Sequence, residues 1–342
     1  MKTLRTVTVS AVALLLLLPL TATAATARPS VSPIALPGVS NHAGFDDLGY
    51  APSLDRVIVP GGVSGALFLI DPQTNAVTKA AQVTPPRKPS RHHDEGTSSA
   101  AYAHGYFFAS NHNDHSLAIV AAKSGKVVRT AKLLSDSDYV RYFSSLGEVW
   151  ATEPDAHQIQ VFRANFSAGI PQLTSLGTIS IPGGPESLEF DPRTGRAYTN
   201  LWTNETLAIN VHTRKVVARW HNTCHHSSGL ALAPKKQLLF AACRQGKIVA
   251  LNLAKPGTIA ASAKTGSGVD IIAWNPSLDH LYVPGARSAT LTILQLTPAG
   301  RLEKVATVKT ARGAHCVATD GKNKAYVCDP MHGRILAVKD SR

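Results

Sequence analysis

One repeated pattern restricts the fold of this chain more than any other feature. Each copy is a short apolar strand, a polar turn and a second apolar strand, as in "ESLEFDPRTGRAYTNL" from Glu186 and "DIIAWNPSLDHLYVPG" from Asp270. The second strands centre on seven apolar anchors spaced 42 to 50 positions apart. These anchors are Ile58, Phe108, Trp150, Tyr198, Phe240, Tyr282 and Tyr326. Self-similarity at this period indicates a repeat architecture.

Most copies continue into two further strands joined by a turn, as in "ETLAINVHTRKVVARW" from Glu205. Four short strands at this period predict one blade of a β-propeller. Seven copies therefore predict an all-β, seven-bladed β-propeller with four-stranded blades. The last copy ends in "RILAVKDSR" without a fourth strand. We expect the N-terminal strand near residues 32 to 37 to complete the last blade and close the ring.

The segment "GGPESLEFDPRTGRAYTNLWTNETLAINVHTRKVVARW" resembles the repeat of YncE-like, YVTN-type seven-bladed propellers, within the quinoprotein amine dehydrogenase-like group. At the level of the repeat, the resemblance extends over the whole mature chain. It implies the propeller fold. Because that family includes binders of single-stranded DNA, it also implies nucleic acid as an alternative partner.

The N-terminus is typical of a secretory signal peptide, with basic residues, the apolar run Val12 to Leu20 and a small-x-small cleavage site. We predict a signal peptide over residues 1–24 and one propeller domain over residues 25–342. The expected product is a monomer exported to the periplasm or the extracellular space. The apolar run is too short to span a bilayer, so a membrane-spanning protein is not expected.

The chain has four cysteines, and an even number in an exported protein favours disulfides. Three pairings are possible. We favour the local pairs Cys224 with Cys243 and Cys316 with Cys328, because each joins neighbouring strands of one copy. The alternative is that the thiolates bind a metal ion beside neighbouring histidines.

The loops before strand one and between strands two and three of every blade share one face, which we call the top face. Eleven of the fourteen histidines fall in these loops. The first residue of each innermost strand faces the central channel, and most copies place an acid there. In chain order these residues are Asp46, Thr97 or the nearby Glu95, Asp138, Glu186, Ser228, Asp270 and His315.

Carboxylates with imidazoles nearby can hold a divalent metal ion, and imidazole favours Zn or Cu. The predicted metal ligands are His42, Asp46, His93, Glu95, Asp138, Glu186, His225, Asp270 and His315. Two of these come from "SRHHDEGTSSA", an inserted loop that we expect to overhang the channel. The alternative is that the acids cap turns and the histidines are solvated.

The favoured function is an exported binding protein whose top funnel holds a small ligand, either directly or through a divalent metal such as Zn or Cu. A metal-dependent propeller enzyme of the lactonase or lyase type is an alternative, so enzyme status stays open and no catalytic residue is predicted. The formal net charge is +13, and many basic residues fall in turns of the opposite, bottom face. An anionic partner there, nucleic acid or an envelope surface, is the second alternative.

Overall fold

A computed structural model of the protein describes residues 3–4, 28–88, 96–167 and 169–340. Within these ranges the strands form seven separate sheets of four antiparallel strands each, which confirms the predicted propeller. The predicted signal peptide lies outside the described residues except for Thr3 and Leu4, and so do His93 and Glu95. In the described part of the chain, no helix has both the length and the apolar character needed to cross a membrane.

Blades one to four follow one another along the chain, each with its innermost strand first. Blade one contains β2 (Gly49–Ala51), β3 (Arg56–Pro60), β4 (Ala66–Ile70) and β5 (Val77–Gln82). Blade two contains β6 (Ala100–Ala103), β7 (Tyr106–Asn111), β8 (Ser116–Ala121) and β9 (Lys126–Lys132). Blade three contains β10 (Val140–Phe143), β11 (Glu148–Glu153), β12 (Gln158–Asn165) and β13 (Gln172–Ser180). Blade four contains β14 (Glu189–Asp191), β15 (Arg196–Asn200), β16 (Glu205–Asn210) and β17 (Lys215–His221).

Blades five and six keep this order, and blade seven takes its outer strand from the N-terminus. Blade five contains β18 (Ser227–Ala233), β19 (Leu238–Cys243), β20 (Lys247–Asn252) and β21 (Thr258–Lys264). Blade six contains β22 (Ala273–Asn275), β23 (His280–Gly285), β24 (Thr290–Leu296) and β25 (Leu302–Lys309). Blade seven contains β26 (Val317–Thr319), β27 (Lys324–Asp329), β28 (Arg334–Lys339) and β1 (Ser30–Ala35). Short 3₁₀ turns occupy Pro234–Lys236 and Pro330–His332.

The middle strands of each blade are apolar because neighbouring blades cover both of their faces. All seven anchors predicted from the repeat are buried, with at most 3% of their surface exposed. The outer strands have one solvated face and alternate polar with apolar residues, as β17 and β21 do. The hydrophobic core is therefore shared between blades.

The pairing of each innermost strand with its neighbour places one equivalent residue per blade at the top of the channel. In blades one and four, Gly49 pairs with Ile58 and Glu189 with Tyr198. Each anchor pairs with one residue of the innermost strand. The residue three positions before that partner lies at the top end of the channel. Around the ring these residues are Asp46, Ser98, Asp138, Glu186, Ser228, Asp270 and His315.

Blade two departs from the sequence-based expectation at this position, which Ser98 occupies instead of Thr97 or Glu95. Its strands β6 and β7 are joined by the two-residue turn His104-Gly105, and both residues have left-handed φ values, 48° and 84°. Such turns match the twist of a hairpin and shorten it. The other blades have longer turns, so their channel residues lie further before the anchor in sequence. Applying that longer separation to Phe108 gives a residue before Ser98.

Strand β1 closes the ring, as predicted. It pairs with β28 in antiparallel register from Ser30 opposite Lys339 to Ala35 opposite Arg334. Ile34 is 6% exposed and belongs to the largest core cluster, so the strand is also held by apolar contacts.

The structure pairs Cys224 with Cys243 and Cys316 with Cys328, the local pairing that the sequence favours. Their Cα atoms are 5.1 Å and 5.5 Å apart. Each bond links the start of an innermost strand to the second strand of the same blade near the top face. Two disulfides are compatible with an exported protein.

Deleting residues 31–40 should lower the thermal stability strongly, because it removes most of β1 and leaves β28 as an unpaired edge. Within the strand, Ile34→Ala should lower the free energy of unfolding by about 2 to 4 kcal/mol. The matched control Val31→Ala should change it by less than about 0.5 kcal/mol, because Val31 is 37% exposed. Urea unfolding measures all three. Unchanged melting of the deletion variant would contradict closure by β1.

Candidate functional site

Six carboxyl groups from four blades line one cavity at the top of the channel. The cavity has a volume of about 380 Å³ and is called the top funnel below. Its acidic ring consists of Asp46, Asp138, Glu186 and Asp270, and Asp136 and Asp155 of blade three also line it. Serine, histidine, aromatic and arginine side chains form most of the remaining wall: Ser98, His112, Ser137, Tyr139, Trp202, Arg244, Arg287 and His315. The funnel therefore combines an acidic ring with a mixed polar rim.

Asp46 and Asp138 approach each other across the channel, and their side chains share a hydrogen bond. Burial raises the pKa of Asp46 to about 6, although the hydrogen bond from Asp138 and the nearby His315 oppose the increase. Burial and the charge of Asp46 raise the pKa of Asp138 well above its ordinary value. Only a protonated carboxyl can donate a hydrogen bond to another carboxylate. The pair therefore holds a proton between its two carboxyl groups.

Glu186, at the start of blade four, also lines the top funnel and is 7% exposed. Its carboxylate accepts a hydrogen bond from the indole N–H of Trp202. Burial raises the pKa of Glu186 well above its ordinary value, and the charges of Asp270 and Asp46 add to this, while Trp202 and Arg244 act against it. The funnel thus retains protons on carboxyl groups that would ionise in water, because the effect of burial exceeds that of the positive charges near them.

His112 forms the wall between blades two and three. Its Nε2 lies 2.8 Å from the hydroxyl of Ser98 and 2.9 Å from the carbonyl oxygen of Ser137. Because a carbonyl oxygen only accepts, Nε2 carries a proton. The other ring nitrogen, Nδ1, is buried and has no hydrogen-bond partner within the described residues, and Asp136 lies 3.8 Å from it. The buried Ser137 hydroxyl likewise lacks a partner among these residues.

Arg244 and Arg287 stand on the rim, in the loops between strands two and three of blades five and six. Both side chains are exposed. In the described ranges neither guanidinium forms a hydrogen bond or an ion pair. Arg244 is nevertheless near enough to lower the pKa of Glu186 through its charge.

The predicted metal ligands divide into three groups. Asp46, Asp138, Glu186, Asp270 and His315 line the top funnel, where Nε2 of His315 is 3.9 Å from the Asp46 carboxylate. The other predicted ligands that the structure describes, His42 and His225, are exposed and do not line it. The remaining two, His93 and Glu95, lie outside the described residues.

One group of three potential ligand residues has its ligand atoms within 4.8 Å of one another in the described part of the chain. It consists of His315, Cys316 and Cys328. The two sulfurs form a disulfide, so they are not thiolates that could bind a metal.

Sequence reasoning missed six polar residues of the top funnel: Ser98, Asp136, Ser137, Asp155, Arg244 and Arg287. The hairpin length of blade two conceals Ser98. The two arginines stand in top-face loops of the repeat, but their approach to the acids depends on the blade-to-blade geometry. Both belong to loops between strands two and three, a position in the repeat that assigns them to the top face.

A second cavity of about 380 Å³ lies lower in the channel, between the innermost strands. Here Arg141 donates two hydrogen bonds to the carboxylate of Asp47, which is 2% exposed. Burial raises the pKa of nearby Glu189 to about 7, against the attraction of Arg141. Tyr139 lines both cavities. The channel acid Asp47 thus has the bidentate arginine partner that the funnel acids lack.

The bottom face is less cationic than its sequence suggests, because many of its basic side chains have acidic partners. Arg56, Arg193, Arg214, Lys236 and Lys322 each lie within 3.1 Å of a carboxylate oxygen. Local pairing of this kind reduces the positive field available to a phosphate backbone.

Comparison with known proteins supports the fold alone. No protein-family model matches the chain, and no curated protein matches it in sequence. Kuenenia stuttgartiensis hydrazine synthase is similar in structure, with a TM-score of 0.69 and 13% identity over 87% of this chain and 96% of that chain. A chain of the mitotic checkpoint complex is similar with a TM-score of 0.72 and 13% sequence identity, over 95% of this chain and 98% of that chain. U3-55K is similar with a TM-score of 0.69 and 8% sequence identity, over 90% of this chain and 98% of that chain. Membership of the YncE-like family stays a prediction.

The raised pKa values predict that the free energy of unfolding decreases as the pH rises above about 4. Asp46 keeps its proton up to a pKa of about 6 in the folded protein, against 3.8 ordinarily. This stability is complete below the ordinary pKa and is lost as the pH rises through 6. Asp46 alone contributes about 3 kcal/mol over that interval.

Asp138→Asn should make the free energy of unfolding fall less steeply with rising pH. The introduced amide still donates a hydrogen bond to Asp46 but cannot ionise. Urea unfolding at several pH values measures the slope. Glu303→Gln, at an exposed acid of the outer strand β25, is the control and should keep the wild-type slope. Equal slopes in the wild type and Asp138→Asn would show that the pair does not hold a proton.

Proposed function

We propose that the protein is an exported binding protein that captures a small cationic ligand in the top funnel. One observation carries this proposal: the carboxyl groups of Asp46, Asp138, Glu186 and Asp270 line a single cavity, and no lysine or arginine forms an ion pair with them among the described residues. Glu186 is buried and the three aspartates are half-buried, and carboxylates withdrawn from water without a counter-charge are costly. A cation that enters the funnel supplies the missing charge.

Protons take the place of that cation in the free protein. The pKa is raised for Asp46, Asp138 and Glu186, so protons and ligand compete for the same oxygens. Binding of a cation must therefore release protons, and affinity must increase as the pH rises through about 6, the pKa of Asp46.

A divalent metal such as Zn or Cu is the second candidate for the cation. The neighbouring His315 and Asp46 favour it, because imidazole and carboxylate together suit these ions. The funnel carboxylates of the described residues do not converge to metal-ligand distances as a group of three. An organic ammonium ion fits the wider spacing better, because it needs charge and hydrogen-bond acceptors at no fixed coordination distance.

Calorimetric titration with hexylamine tests the proposal, with Ca²⁺, Zn²⁺ and Cu²⁺ as parallel probes. Hexylamine should bind with release of protons, measured as a dependence of the heat on the ionisation enthalpy of the buffer. The double variant Asp138→Asn/Glu186→Gln should weaken binding by about tenfold or more, the loss expected for hydrogen bonds to a charged group. Glu303→Gln should bind as the wild type does.

Binding of hexylamine that is insensitive to both substitutions would place the cation elsewhere and overturn the proposal. Binding of Zn²⁺ or Cu²⁺ without binding of hexylamine would replace the organic cation with a metal ion. His315→Ala should then abolish metal binding.

A further inference from the structure

The rim of the top funnel carries positive charge that the fold does not use. Arg244 and Arg287 come from adjacent blades and both line the cavity. Within the described residues their guanidinium groups have neither hydrogen-bond nor ion-pair partners. Five donors on each guanidinium are therefore available to a ligand.

Arg244 and Arg287 are not simply counter-ions of the acidic ring. An arginine that is a counter-ion occurs lower in the channel, where Arg141 donates two hydrogen bonds to Asp47. Arg244 lowers the pKa of Glu186 through its charge but makes no ion pair with it. An arginine that served the acids alone would be expected to form the bidentate pair seen below.

Two buried polar groups in the same cavity also lack partners. The Ser137 hydroxyl and Nδ1 of His112 have no hydrogen-bond partner in the described part of the chain, although Ser137 is 1% exposed and the His112 side chain 6%. Both atoms are closed off from the cavity, so they show that the wall between blades two and three is polar and are not themselves ligand contacts.

Trp202 adds an apolar surface between the acids and the arginines. The residue is 42% exposed, while its indole N–H is fixed on the carboxylate of Glu186. A fixed and exposed aromatic ring at a cavity mouth offers a contact for the carbon chain of a ligand.

We infer that the ligand is a small zwitterion, with an ammonium group held by the acidic ring and an oxyanion held by Arg244 and Arg287. This inference rests on the proposed function and adds to it the chemical class of the ligand. A carboxylate and a phosphate both suit the guanidinium fork. The shared requirement is an ammonium and an oxyanion joined by a short carbon chain.

A matched series of ligands with one chain length tests the inference by calorimetry: hexylamine, hexanoate, 6-aminohexanoate and 6-aminohexyl phosphate. The zwitterion 6-aminohexanoate should bind about tenfold or more tightly than hexylamine, because it adds charge-assisted hydrogen bonds. Hexanoate should bind weakest of all. Tighter binding of 6-aminohexyl phosphate than of 6-aminohexanoate would identify the oxyanion as a phosphate and support the same inference.

The double variant Arg244→Gln/Arg287→Gln should bind hexylamine and 6-aminohexanoate equally. The control Arg312→Gln changes an exposed arginine that lines a different groove, beside His42, and should keep the wild-type preference. Thermal melting of both variants checks that they fold. Because both arginines are exposed on loops, neither change should disturb the blade cores.

The outcomes separate this inference from the proposed function. If hexylamine binds at least as tightly as 6-aminohexanoate, the funnel takes simple cations and the zwitterion is wrong, while the proposed function stands. If no amine of the series binds, both fail. A preference for 6-aminohexanoate that survives the loss of both arginines would also overturn the inference.

Discussion

Pairing of β1 with β28 closes the ring, and the geometry of the top funnel depends on that closure. The funnel collects one residue from the start of the innermost strand in six of the seven blades, so its width is set by the angle between successive blades. Blade seven, which supplies His315, lies beside blade one, which supplies Asp46, and these two side chains meet 3.9 Å apart. Without an outer strand on blade seven, the contact across this seam would be the first to open.

The closed ring brings carboxyl groups together, and among the described residues none of those in the acidic ring forms an ion pair with a lysine or arginine. Along the channel the protein handles a buried acid in two ways. Asp47 receives a bidentate arginine and the hydroxyl of Ser99, at 2.6 Å, and this network belongs to the scaffold. Asp46, Asp138 and Glu186 receive protons instead. Protons can be exchanged for another cation, whereas a fixed arginine cannot, so the funnel acids suit the proposed binding role better than Asp47 does. Glu189 in the lower channel also has a raised pKa, but Arg141 lies beside it.

The repeat predicted the architecture because its anchors are packing requirements: Trp150 and Tyr282 must be apolar wherever a blade has a covered middle strand. The residue that each innermost strand places at the channel was predicted correctly in the blades other than blade two. In blade two the short turn of His104 and Gly105 moves this position to Ser98. Whether His225 or Arg244 reaches the cavity depends on loop direction and blade twist. Those are properties of the assembled ring and leave no local pattern in the sequence.

The most direct test of this account is whether the funnel carboxyls hold protons that a ligand displaces. Infrared difference spectroscopy detects the C=O stretch of protonated carboxyl groups. The account predicts such a signal in the free wild-type protein at neutral pH, its loss on addition of 6-aminohexanoate, and its reduction in Asp138→Asn. Fully ionised funnel carboxylates in the free protein, or a protonated signal that the ligand leaves unchanged, would contradict it.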